Sequence, residues 1–95
     1  MAAVKLVFRA HALQRMFERG ISVEEVRAVI EVGETIVTYS DDTPYPSRLV
    51  LGKPGGRSLH VVYADNLPAH EIIVITAYEP DPQQWEPDFR RRSKA

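Results

Sequence analysis

The sequence predicts an α+β fold: two N-terminal helices packed on one face of an antiparallel sheet of about four strands. Three observations predict it. Residues 10–33 carry helix-period apolar spacing, with a stop signal and a start signal between two segments. From Thr35 onward the chain changes to β-branched runs that alternate. The links between the later runs are short and contain Pro and Gly, which suits an antiparallel meander.

Val4 to Phe8 alternates in part and reads as a short lead-in strand. The first helix should cover about residues 10–19 and stop at Gly20, which tolerates the left-handed position after a helix. Ile21 would then fold back on Met16. Ser22 opens the second helix, and Glu25 completes a capping box with it. Val23, Val26, Val29 and Ile30 form the buried face of that helix, and Gly33 ends it. Strands follow at Thr35 to Tyr39, Ser47 to Gly52, Ser58 to Asp65 and Glu71 to Tyr78. Residues 1–80 make one domain, and residues 81–95 form a C-terminal tail that can clasp the body through Trp85 and Phe89.

Alternation assigns faces within each strand. Leu49 and Leu51, Leu59, Val61 and Tyr63, and Ile73, Ile75 and Ala77 are expected beneath the helices. Arg48, His60, Thr76 and Tyr78 are then expected together on the other face.

Composition narrows the function. Ninety-five residues with 44% apolar content suffice for one packed domain. The chain has no cysteine, so disulfides and thiolate metal sites are excluded. The N-terminus lacks a signal-peptide pattern and no run reaches the length of a membrane span, so a soluble cytoplasmic protein is expected. The net charge of −1 does not favour a general polyanion-binding surface. A local basic site remains open, because Arg and Lys cluster in residues 1–27 and in the run from Arg90 to Lys94.

His11, Arg15 and Arg19 are spaced four apart and form a cationic stripe beside Leu13, Met16 and Phe17. Arg is suited to gripping phosphate and His to moving protons near neutral pH. With His60, they point to a small metal-free site for a phosphodiester. Plainer readings stand beside this one. Arg15 can pair with Glu18, His11 can cap or pack at the first helical turn, and His60 can be a buried, hydrogen-bonded histidine. Tyr78 is either a structural aromatic under the tail or a hydroxyl pointing into the site. The three histidines lack any metal-ligand spacing, so neither a metal nor another cofactor is expected.

The stretch from His11 to Ile21 (HALQRMFERGI), GRSLHVV at 56–62 and VITAYEP at 74–80 together resemble the family called domain of unknown function DUF4258. The resemblance implies a RelE-like fold, similar to toxins that cleave messenger RNA and are held inactive by an antitoxin. It singles out His11, Arg15, Arg19, His60, Thr76 and Tyr78.

The expected function is a metal-independent endoribonuclease toxin, a hydrolase acting on single-stranded RNA or mRNA. His60 would serve as base, and His11 or Tyr78 as acid. Arg15, Arg19 and Arg48 would hold the phosphate, with Thr76 beside them. A cognate antitoxin is the expected partner, with a homodimer also open. The alternative is a non-catalytic protein-interaction module that retains the toxin scaffold.

Overall fold

The computed structural model describes residues 4–93. The elements run β1 (Lys5–Phe8), α1 (Ala10–Glu18), α2 (Val23–Val32), β2 (Glu34–Tyr39), β3 (Ser47–Gly52), β4 (Leu59–Asn66) and β5 (Glu71–Tyr78). Short 3₁₀ turns at Pro54–Gly56 and Leu67–Ala69 join β3 to β4 and β4 to β5. The fold is α+β, with both helices packed against the sheet.

The local signals between the helices form as read. Gly20 adopts a left-handed φ of 66°. The Ile21 amide donates to the Met16 carbonyl at 2.8 Å and the Gly20 amide to the Phe17 carbonyl at 3.2 Å, the paired bonds of a Schellman cap. Ile21 is buried there. Ser22 and Glu25 then make the reciprocal capping box, at 3.1 and 2.9 Å. Gly33 ends α2 because the helix comes very close to β3. A Cβ at Gly33 would clash with the Val29 carbonyl and lie 2.6 Å from Val50 Cγ1.

The sheet differs from the expected one in two respects. It has five strands, in the order β1-β5-β4-β3-β2, and it is mixed. Strands β2 to β5 form the antiparallel meander, but the lead-in strand β1 adds to β5 in parallel, with Lys5 opposite Glu71 and Phe8 opposite Val74. A parallel neighbour needs a long crossover, here the whole helical pair and the meander, so no local turn signal announces it.

Two sets of side chains also change face. In β3 it is Val50, opposite Val61, that joins the core under the helices; Leu49 and Leu51 point the other way, opposite Val62 and His60. In β5 a bulge leaves Ile75 without a partner between Thr76 and Val74, so Ile72, Val74 and Ala77 face the helices rather than Ile73, Ile75 and Ala77. The resulting core joins Ala12, Met16, Ile21, Val26 and Val29 to Val50, Leu59, Val61, Tyr63, Val74 and Ala77.

The second sheet face is covered as well. Trp85, only 6% exposed, packs edge-on against His60 with ring centroids 4.5 Å apart. The tail thus forms a third layer over part of the sheet, and His60 and Leu49 are buried on that side. Strands covered on both sides lose the contrast between apolar and polar faces. No helix among the described residues is long and apolar enough to cross a membrane.

Candidate functional site

The first residues to place are those of α1. Four residues overshoot a helical turn by about 40°, so a stripe at that spacing drifts around the helix. The buried direction is set by Ala12 and Met16; Leu13 and Phe17 are 45% and 88% exposed and do not form the expected apolar face. Arg19 lies nearest the buried direction, Arg15 farther and His11 farthest. Arg19 reaches the sheet, and its Nη1 donates to the Ala77 carbonyl at 2.8 Å. Arg15 stays exposed and pairs loosely with Glu18 at 3.4 Å. His11 is exposed at the first turn.

Arg48 departs from the expected cluster. It shares the face of Val50, not that of His60, so it lies on the helix side of the sheet. There its guanidinium donates to Asp65 at 2.7 Å and stands 5.5 Å from the centre of the Tyr63 ring. The reason is the changed face of β3. Thr76 and Tyr78 do share the second face with His60, with Tyr78 directly opposite His60 in the register.

His60 is fully buried, and both of its ring nitrogens have partners. Nε2 lies 2.9 Å from the Phe89 carbonyl, and Nδ1 lies 3.4 Å from the Tyr78 hydroxyl. A carbonyl oxygen only accepts, so Nε2 carries the proton and Nδ1 is the acceptor facing Tyr78. Burial pushes the His60 pKa below its ordinary value; the bond to Phe89 opposes this and the nearby Arg92 charge adds to it. The imidazole is therefore neutral at pH 7, with Nδ1 turned as an acceptor towards the Tyr78 hydroxyl.

Tyr78 connects this buried histidine to the surface. It lines a cleft of about 400 Å³ with Tyr39, Trp85 and Arg90 to Arg92, and a second depression with Arg19 and Glu79. Burial, then the neighbouring Tyr39, push its pKa up, while Arg92 and Arg19 pull it down. The phenol is thus held protonated between two guanidiniums. Glu79 does not cancel the Arg19 charge unaided, because Arg57 takes it at 3.0 Å. Arg57 also grips both carboxylate oxygens of Glu25 at 2.8 Å and the Gly20 carbonyl at 3.0 Å. That clamp ties the cap between the helices to the end of β5. It holds Glu25 below the usual carboxylate range, after the larger effect of the Ser22 amide.

The tail supplies residues that the sequence reading kept only as a local basic run, outside the candidate site. Arg92 lies over the Trp85 ring at 5.1 Å and has no carboxylate partner among the described residues. Arg90 is engaged by Glu34 at 2.9 Å, and Arg91 has only Glu86 at 4.0 Å. The run from Arg90 was visible in the sequence, but a charged run at a chain end usually reads as solvated. Among the described residues no group of three His, Cys, Asp or Glu side chains gathers in a way that could hold a metal ion.

The order of the three sequence signatures now has a spatial meaning. The first forms α1 and its cap, the second forms the Arg57 clamp and His60, and the third ends at Tyr78 and Glu79. The family described as domain of unknown function (DUF4258) matches residues 8–79. The chain belongs to that family. No curated protein and no solved structure matches it. The DUF4258 match ends before Trp85 and the arginine run, so one wall of the cleft comes from beyond the matched region.

Proposed function

We propose that this DUF4258 protein is a metal-independent endoribonuclease of the RelE-like toxin kind, acting on single-stranded RNA. The observation that carries the reading is the Tyr78 hydroxyl, backed by the acceptor nitrogen of His60 and flanked by Arg19 and Arg92. RNA supplies its own nucleophile in the ribose 2′-hydroxyl. In this reading Tyr78 takes the 2′-hydroxyl proton as it passes its own proton to His60 Nδ1. The 2′-oxygen attacks phosphorus and the bond to the 5′-oxygen breaks. The departing 5′-oxygen takes a proton from water; Tyr78 then gives its proton to the hydroxide that remains and takes back the one held on His60 Nδ1. Arg19 and Arg92 offset the charge growing on the phosphate oxygens. His60 thus acts through Tyr78, which suits a base that is itself buried. Arg15, His11 and Arg48 have no step in this scheme.

The test is incubation of the purified protein with single-stranded RNA in the presence of a chelator, beside DNA of the same sequence. Cleavage of RNA alone, leaving a 2′,3′-cyclic phosphate, is expected. Tyr78→Phe should lower the rate by about 10²-fold or more, as expected for a lost proton-transfer group. Equal cleavage by the variant would remove Tyr78 from the chemistry.

The complete burial of His60, with both ring nitrogens occupied, favours a second reading. In it the histidine pins the tail, and the protein is a non-catalytic module that binds an antitoxin-like protein. Growth arrest on expression, relieved by a neighbouring gene's product, supports the toxin; harmless expression supports the module.

A further inference from the structure

The cleft beside Tyr78 contains more than the proposed reaction uses. Tyr39, at the end of the edge strand β2, is 40% exposed although it is a large aromatic. It lines the same cleft as Arg91 and Arg92. Of the three arginines there, Arg90 is engaged by two carboxylates, while Arg92, which lies over the Trp85 ring, has no carboxylate partner among the described residues, and Arg91 is 80% exposed with only a distant partner. Among the described residues no acidic side chain lines the cleft. The site therefore combines an accessible aromatic ring with surplus positive charge.

We propose that Tyr39 is a stacking platform for an unpaired nucleobase, and that Arg91 and Arg92 hold the phosphodiester next to it. The inference rests on the single-stranded RNA reading above and adds how that strand is seated. Bases stack on an aromatic ring whatever their sequence, while arginines follow the backbone. A base inside a duplex has no free face to offer, so this arrangement selects unpaired strands. Trp85 cannot serve as the platform, because it is buried between His60 and Arg92. Phe17 is more exposed than Tyr39, but it belongs to α1 and does not line this cleft. Tyr39 also lies close enough to influence Tyr78. A base seated on it would bring the adjoining phosphate towards the reacting hydroxyl.

The test uses two labelled probes, which 2′-O-methylation protects from cleavage: a heptamer of uridylates and an abasic heptamer with the same phosphates. Fluorescence anisotropy of the full chain at low salt should show the uridylate probe binding roughly 5- to 100-fold more tightly than the abasic one. Tyr39→Ala should erase that difference, Tyr39→Phe should keep it, and Arg92→Ala should weaken both probes. Equal binding of the two probes by the unaltered protein would overturn the platform and leave the RNA reading standing. If neither probe binds, the RNA reading falls and takes the platform with it. Because the comparison of probes needs no variant, a folding defect in Tyr39→Ala would not blunt it.

Discussion

The Phe89 carbonyl accepts the Nε2 proton of His60 at 2.9 Å from a left-handed backbone, φ 59°. That conformation is unfavourable for a bulky residue, so the surrounding contacts must hold it. Trp85 against the same ring and Arg90 on Glu34 are the contacts that do so. The tail is thus fastened to the sheet face at three points, around one buried imidazole.

Acid should loosen that fastening. Burial lowers the His60 pKa, so the folded chain binds fewer protons here than the unfolded chain. The associated stability is complete above the ordinary histidine value of about 6.5 and is lost as pH falls below it, by at most about 1.4 kcal/mol per pH unit. Urea titrations followed by the fluorescence of Trp85, the sole tryptophan, should show stability falling as pH is lowered below about 6.5. An identical fall in His60→Gln would assign it to other groups.

Removing the tail should cost stability. Truncation after Pro80 strips Trp85 from the sheet and exposes His60 and Leu49. Trp85→Ala alone should cost about 3–5 kcal/mol, the usual range for a buried tryptophan. Thermal melts of both variants check this. Unchanged melting temperatures would mean that the tail does not pack in solution as it does here.

Arg15 and Arg19 should separate. Arg15→Ala removes an exposed side chain with one loose ion pair and should change stability by about 0.5 kcal/mol or less. Under the proposed scheme it also leaves RNA cleavage unchanged. Arg19→Ala removes a bond to the sheet and a phosphate ligand, so cleavage should fall by about 10²-fold. A larger loss of cleavage at Arg15 would place the phosphate along α1 instead.

The two helix-terminal glycines should respond differently to alanine. At Gly20 nothing stands within 4 Å of a new Cβ, so Gly20→Ala should cost only the left-handed φ, about 1 kcal/mol. At Gly33 the new atom meets Val50 at 2.6 Å and the Leu51 carbonyl at 2.8 Å. Gly33→Ala should therefore cost clearly more, with β3 displaced from α2. Denaturant midpoints of the two variants compare them directly.

These contrasts also explain what the sequence could tell. The cap at Gly20 and the box at Ser22 are short-range chemistry, and neighbouring residues suffice to read them. Val50 and Leu49 are both apolar and both buried, one under the helices and one on the tail side, so alternation could not tell their faces apart. Arg48 was carried to the wrong face by the same ambiguity. The bulge at Ile75 leaves no mark in a run of β-branched residues. For the candidate site, Tyr78, His60 and Thr76 were legible because they lie on paired strands without an intervening register shift. Arg92 and Tyr39 were not, because only the folded tail brings them together.

The parallel seat of β1 beside β5 has a consequence for the order of assembly. As the domain is synthesised, Lys5 to Phe8 emerge ahead of its other elements, yet the strand they pair with is the last of its strands to be made. Until then this apolar segment has no sheet to join, and the closing contact spans nearly the whole domain. Such long-range pairing is slow relative to the local helical hairpin. The nascent domain therefore passes through a stage in which β1 is an unpaired, sticky strand, available to a chaperone or to another copy of the same domain.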